Sequence, residues 1–227
     1  MKKNQVLRAV RHTGWLAEQP AAFREALLAR AELRERAMGA ALYRQDDPPG
    51  CLYGLATGSL GVVAALGPAP PRLLHIARPG WWVGEASMVS RTQTRVEVNA
   101  RAPSVVIVVA AAAITELARR DPLVWRYLGL LTVSHMDSAL QLAGCALTSD
   151  PRDRVIGTLL RLARPAPHLP GPIDIPASQA ELAELAGMSR NPVGPILRDL
   201  EAAGAITCRR SCVRILDIDV LKGSAGA

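Results

Sequence analysis

The sequence predicts an α+β protein: a β-rich first half, one long connecting helix, and a small helical domain closed by a β-hairpin. Three observations carry this expectation. Between about Met38 and Ala110, Gly and Pro punctuate the short apolar runs CLYGLA, SLGVVAAL, RLLHIA, WWVGE, TRVEVNA and SVVIVVA. Turn signals roughly every ten residues indicate an all-β sandwich or roll. From Pro122 to Leu147, apolar positions instead recur at helical spacing. Finally, SQAELAELAGMSRNPVGPILRDLEAAGAI (178–206) reads as helix, tight turn, helix, and is followed by the apolar–basic–apolar run AITCRRSCVRILD.

In chain order, residues 4–37 read as helical, with Pro20 at a first helical position ahead of AAFREALLARAEL and a packing role. Within the β region, Val105–Val109 is continuous and β-branched, as a strand buried on both faces would be. Asp121 can cap the long helix and Pro122 can start it. About 26 residues at ~1.5 Å each give a rod of roughly 40 Å. Leu128, Leu131, His135, Ser138, Leu142 and Cys145 fall at 3-4-3-4-3 spacing, the a/d pattern of a coiled coil. The stripe reads as a homodimer seam, with packing inside the chain as the alternative. His135 would then set register, or meet its symmetry mate and confer pH sensitivity. Thr148–Pro151 forms a hinge, because Pro151 cannot continue the helix and Asp150 can cap the next. DRVIGTLLRLAR is amphipathic, and residues 165–176 are a Pro-rich loop with a short strand at Ile173–Ile175. The expected parts are 1–121, 122–149 and 150–227.

In the last part, Ser178 and Glu181 match a capping box, Leu182 and Leu185 supply an apolar face, and Gly187 permits a sharp bend. Ser189 is a cap candidate for the second helix, whose apolar positions are Val193, Ile196, Leu197 and Leu200; Gly204 ends it. A helix-turn-helix puts its second helix in the DNA major groove, and here that helix would open with Arg190 and Asn191. The hairpin that follows, with Arg209 and Arg210 at its tip, completes a winged helix. Ser178, Gln179, Ser189, Arg190, Asn191, Arg198, Arg209 and Arg210 are therefore the candidate DNA contacts. An ordinary helical hairpin in a core is the bland alternative.

Composition bounds this reading. The chain of 227 residues is 49% apolar and 21% charged, which suits a globular protein with a core. Its net charge of +7 divides into +5 over residues 1–150 and +2 over 151–227, so the basic excess does not concentrate where DNA would bind. Arg outnumbers Lys 24 to 3, which favours phosphate and guanine contacts but equally reflects genome bias. Met1-Lys2-Lys3 is not followed by an apolar leader, and the run 105–114 is too short to span a bilayer. Cys51, Cys145, Cys208 and Cys212 form no C-x-x-C pair, so a cytoplasmic protein with reduced thiols is expected. Cys208 and Cys212 flank the wing tip, where a disulfide or redox role is a minority option. Four scattered histidines and no nucleophile–base constellation argue against an enzyme or a metal site.

The order of these parts resembles the cyclic-AMP receptor/FNR family of bacterial transcription regulators. LYRQDDPPGCLYGLATGSL (42–60) looks like that family's first roll hairpin, RPGWWVGEASMV (78–89) is similar to its effector segment, DPRDRVIGTLLRLA (150–163) looks like the helix after the hinge, and 178–206 resembles its helix-turn-helix. The resemblance implies an N-terminal double-stranded β-helix (a jelly-roll, cyclic-nucleotide-binding-like domain), a long dimerisation helix and a C-terminal winged helix. It implies a homodimer on a two-fold operator, a small effector that reorients the DNA domains, and RNA polymerase as partner. In cyclic-nucleotide-binding members a Glu contacts the ribose and an Arg–Ser or Arg–Thr pair takes the phosphate. Glu85, beside Gly84, matches the first; Arg95 matches the arginine in a gapless count, but Val96 stands where the hydroxyl residue belongs, and a count back from Ala100 puts Arg95 one place off. The helix positions that carry hydroxyls in adenine-binding members are Ala139 and Leu140. The implied effector is thus an unidentified small molecule other than cyclic AMP. A Glu85–Arg95 ion pair bracing the roll is the alternative use of that pair. Trp82 is kept as a pocket candidate, with core packing as the alternative for both Trp81 and Trp82.

No Cys precedes Cys51, which argues against the family's N-terminal iron–sulfur chemistry, and His75 sits in no haem motif. The recognition helix departs from the family's S-R-x-x-V-x-R: Asn191 stands where many members have Glu, and Pro195 where many have Arg. An interior proline costs about 3 kcal/mol. Either the helix starts late, which puts Pro195 in its tolerant first turn, or that turn is kinked. A ligand-binding or protein-interaction module with weakened DNA binding is accordingly the second functional expectation.

Overall fold

The computed structural model describes residues 3–65, 67–68, 70–164 and 171–226. The chain divides into two compact units, one of Met1–Pro71 and Ala77–Met136, the other of Arg72–Ile76 and Asp137–Ala227.

The first unit opens with helices α1 (Lys3–Val10), α2 (Gly14–Ala17) and α3 (Ala21–Leu28). The expected helix over 4–37 stops there. Glu32–Arg36 is instead a strand, β1, paired antiparallel with residues 104–108. Its sequence ELRER has good helix formers, but ladder pairing outweighs a propensity of tenths of a kcal/mol, and its alternating charges suit a sheet edge. The remaining strands are β2 (Ala41–Tyr43), β3 (Cys51–Thr57), β4 (Leu60–Ala64), β5 (Arg72–Ala77), β6 (Trp82–Val83), β7 (Glu97–Ala100) and β8 (Ser104–Ala110), with a short helix α4 (Glu85–Ser90) between β6 and β7. One sheet has the order β1-β8-β3-β6; in another, β7 lies between β2 and β4.

β8 is the strand expected to be buried on both faces, and it is. The two-residue period sends Val106 into the cluster of Leu55, Leu60, Val62 and Val98, and sends Ile107 and Val109 into a second cluster with Leu16, Phe23, Leu27 and Trp82. The apolar run then continues as a helix, α5 (Ala111–Arg120), which contributes Ile114, Leu117 and Ala118 to the second cluster. No turn signal separates that helix from the strand in the sequence.

The long helix α6 spans Leu123–Leu147, and Asp121 caps it by accepting a bond from the Leu123 N–H at 3.0 Å. Its expected seam requires correction. Leu128 and Leu131 are 0% and 2% exposed within one chain, packed in the cluster of Trp15, Trp82 and Val124. His135 bonds Glu85, and the Cys145 thiol lies against Gly157. The 3-4 stripe is real, but what covers its first members is the same chain. The face left open carries Leu130, Val133, Met136, Leu140 and Leu147.

In the second unit, α7 (Pro151–Ala163) is capped by Asp150, with Pro151 at the helix start as expected. β9 (Ile173–Ile175), β10 (Ile206–Arg209) and β11 (Cys212–Ile215) form a sheet of order β10-β11-β9, accompanied by α8 (Gln179–Leu185), α9 (Val193–Ala202) and α10 (Ile218–Gly223). One core joins Leu159, Leu162, Leu182, Leu185, Leu197 and Val213. β5 contributes to this unit through Ile76, buried in the same core. The hydrogen bonds that secure it include the Leu73 N–H to Glu184 at 2.9 Å and Arg161 to the Leu74 carbonyl at 3.0 Å. The expected Pro-rich loop lies at 165–170 outside the described residues; its strand at 173–175 is present.

Candidate nucleic-acid interface and effector cavity

The helix-turn-helix begins as the sequence requires. Ser178 accepts from the Glu181 N–H and Glu181 bonds back to the Ser178 N–H, a complete capping box. The Ser178 hydroxyl is engaged with Glu181 in this cap. The second helix starts late. Pro192, not Ser189, occupies the cap of α9, so Ser189, Arg190 and Asn191 belong to the preceding turn and are exposed. Pro195 is thereby the third helical residue, where the backbone N–H has no helical acceptor to lose. Replacing Pro195 by Ala is expected to change the unfolding free energy by less than about 1 kcal/mol, against the ~3 kcal/mol of an interior proline; urea unfolding of the two proteins measures it.

Gln179 and Arg198 converge over the start of α9. A Cβ placed on Gly194 would stand 3.4 Å from Gln179 Oε1 and 3.9 Å from Arg198 Nη1. Arg209 and Arg210 are exposed at the tip of the β10–β11 hairpin. The wing is braced beneath them: Arg214 on β11 grips Asp174 on β9 through two bonds of 2.6 and 2.8 Å, which holds the Asp174 carboxyl below its ordinary range. Glu201 accepts from the Thr207 hydroxyl and the Cys208 N–H. Cys208 faces Val213 and Cys212 faces Arg209, so the two cysteines are out of register, and both thiols are free. Burial, with Glu201 acting on Cys208 and Asp174 on Cys212, pushes both thiols up, away from the reactive thiolate.

The first unit holds a cavity of about 170 Å³ lined by Leu42, Tyr43, Asp47, Pro48, Gly50, Cys51, Tyr53, Gly84, Ser87 and Thr94. Gly84 turns the chain into α4 at φ 104°, a left-handed conformation, and a Cβ there would stand 2.2 Å from the Cys51 carbonyl oxygen; only glycine fits. Of the expected pocket residues, Gly84 lines this space. Arg95 is exposed and does not. Trp82 is a core residue: it is fully buried, 5.8 Å from Trp15, and its ring fills the space where a Cβ on Gly54 would fall, at 2.8 Å.

Glu85 does not pair with Arg95 either. It is 1% exposed, and its Oε1 accepts from His135 Nδ1 at 2.9 Å and from the Thr132 hydroxyl at 3.4 Å, both on α6. What the sequence did not reveal is the aromatic and polar lining. Tyr43 and Tyr53 stand 5.7 Å apart in adjoining strand segments. Burial, then the nearby Glu85 charge, raises the Tyr43 phenol far above its ordinary value, so it stays protonated. Burial, with Cys51 beside it, raises Tyr53 as well.

Residues 33–121 match the model of the cyclic nucleotide-binding domain, and residues 153–223 that of the Crp-like helix-turn-helix domain. The chain is 25% identical over 197 residues to the CRP-like protein Clp of Xanthomonas euvesicatoria pv. vesicatoria, covering 83% of this chain and 86% of that one. Among solved structures it resembles FixK2 from Bradyrhizobium japonicum (TM-score 0.73, 20% identity, 87% of this chain and 98% of the other). It also resembles CLP of Xanthomonas campestris, described as a c-di-GMP responsive global regulator (TM-score 0.63, 24% identity, 87% and 100%). Among the described residues, no helix is long and apolar enough to cross a membrane.

Proposed function

We propose, since the chain belongs to the CRP/FNR family of bacterial transcription regulators, that it works in the cytoplasm as a homodimer that binds a two-fold DNA operator under the control of a small effector and presents RNA polymerase with a docking platform. The observation that carries the reading is the exposed polar start of α9: Arg190 and Asn191 in the turn, and Gln179 and Arg198 meeting over Gly194. Asn191 can pair with adenine, and the arginines of the turn, the helix and the wing can take phosphate or guanine. The parts taken for these roles are 1–121 for effector binding, 122–149 for dimerisation and 150–227 for DNA. Pairing of two chains is supported by the open apolar face of α6, with Leu130, Val133, Leu140 and Leu147 at 3-7-7 spacing. The chain's similarity to transcription regulators supports a regulatory role rather than an enzymatic one.

The effector is a small molecule without a phosphate. The cavity lining has no Arg or Lys, and its one carboxylate is Asp47. A cyclic nucleotide phosphate would find no cation there, and about 170 Å³ falls below the ~300–1,000 Å³ of drug-sized pockets. Tyr43, Tyr53, Ser87 and Thr94 supply hydrogen bonds instead.

Fluorescence anisotropy with fragments of the source genome tests the DNA reading. Binding should weaken with salt at a log–log slope of about −0.9 for each phosphate neutralised, and Arg190→Ala should lower affinity roughly tenfold. The +2 charge of residues 151–227 favours the second reading, a ligand- or protein-binding module of the same fold; salt-independent or absent binding would establish that one.

A further inference from the structure

We propose that Glu85 and His135 form a proton-operated tie between the effector cavity's helix and the long helix. α4 presents Gly84 and Ser87 to the cavity, while Glu85, between them in sequence, reaches α6. The carboxylate is buried, and its Oε2 has no hydrogen-bond partner; neither does His135 Nε2, which is also buried. Buried polar atoms are almost always satisfied, so two orphans on one contact mark a site kept for something other than stability.

The groups around the pair limit what can compensate its charge. From β2 comes Tyr43, whose phenol stays protonated beside Glu85. From α6 comes the neutral Thr132 hydroxyl, which also donates to the Leu128 carbonyl. From the segment before β6 comes the Trp81 ring, 5.3 Å from the imidazole. Among the described residues, no Lys or Arg forms an ion pair with Glu85, and His135 is its single cationic candidate.

With the imidazole neutral, Nδ1–H donates to a buried carboxylate that keeps its full negative charge. A proton on Nε2 turns the contact into an imidazolium–carboxylate pair of zero net charge. Attraction at hydrogen-bond distance in a buried site outweighs the orphaned N–H that this creates. The tie therefore tightens when the imidazole takes up a proton and slackens when it gives the proton up. Because α6 carries the open apolar face and α4 edges the cavity, proton uptake stiffens the connection between them. The tie depends neither on DNA nor on an occupied cavity.

A double-mutant cycle on the full chain tests it, with Glu85→Gln, His135→Gln and the pair, followed by urea unfolding at pH 5.5 and 8.5. The coupling between the two positions should be about tenfold or more in the unfolding equilibrium constant at pH 5.5 and should shrink to about threefold or less at pH 8.5. Equal coupling at both pH values overturns the proposal. If the variants do not fold, native fluorescence decides between pH 5.5 and 8.5: imidazolium against Trp81 should quench wild-type emission at low pH, and Trp81→Phe should abolish the change. A flat profile, or one that Trp81→Phe leaves intact, overturns the tie equally.

Discussion

Trp82→Ala is expected to destabilise the first unit by about 3–5 kcal/mol, the range for truncating a large buried aromatic. The indole is fully buried, packs at 5.8 Å on Trp15, and closes over Gly54, whose missing Cβ makes room for it. The Gly54 side of the space offers no side chain to fill it. Urea unfolding followed by circular dichroism reads the loss. An effector wall would behave otherwise: stability would hold and ligand response would fall. That second outcome would return Trp82 to the pocket.

Placing glutamate at both Leu130 and Leu140 is expected to convert a dimeric protein to monomers over the micromolar range, with thermal stability lowered only by the lost dimer linkage. The two side chains are 48% and 62% exposed in the single chain, so charging them costs the fold little; two or four carboxylates in a helix–helix seam repel and lose their water. Leu131→Ala should do the reverse. That residue is 2% exposed, and its truncation should cost about 2–5 kcal/mol while a dimer, at protein concentrations where the chain still folds, persists. Sedimentation velocity and thermal melts of the variants separate the two faces of α6. A wild-type chain that sediments as one copy would remove the dimer from the functional reading.

The contrast shows what sequence patterns carry. Periodicity located α6, β8 and the helices of the winged domain, because a two- or 3.6-residue repeat records which side chains avoid water. It does not record what excludes the water. Leu128, Leu131 and His135 keep perfect coiled-coil spacing although they pack on their own chain. Caps were legible for the same local reason: Asp121, Asp150 and the Ser178–Glu181 box lie within three residues of the groups they satisfy. β1 was illegible because its partner, β8, lies some seventy residues along the chain, Glu32 pairing with Val108. The effector segment was half legible. Gly84 is dictated by a positive φ, but Glu85 faces His135, fifty residues away, and the tyrosines of the cavity meet across two different sheets, Tyr43 on β2 and Tyr53 on β3. Pro195 posed two options, and the cap at Pro192 selected the late-starting helix.

β5 gives the winged part a debt to a distant piece of chain. Residues 72–76 belong to the second compact unit, where Ile76 seats in its core and the Leu74 carbonyl receives Arg161, a guanidinium that burial makes less basic and that has two further nitrogens without partners. A fragment cut to begin at the hinge would lose that strand, uncover apolar surface and leave Arg161 without its Leu74 acceptor. Excised versions of this region should therefore aggregate or melt early unless a segment equivalent to 72–76 is supplied in trans, and functional mapping by truncation would mistake a missing strand for a missing activity.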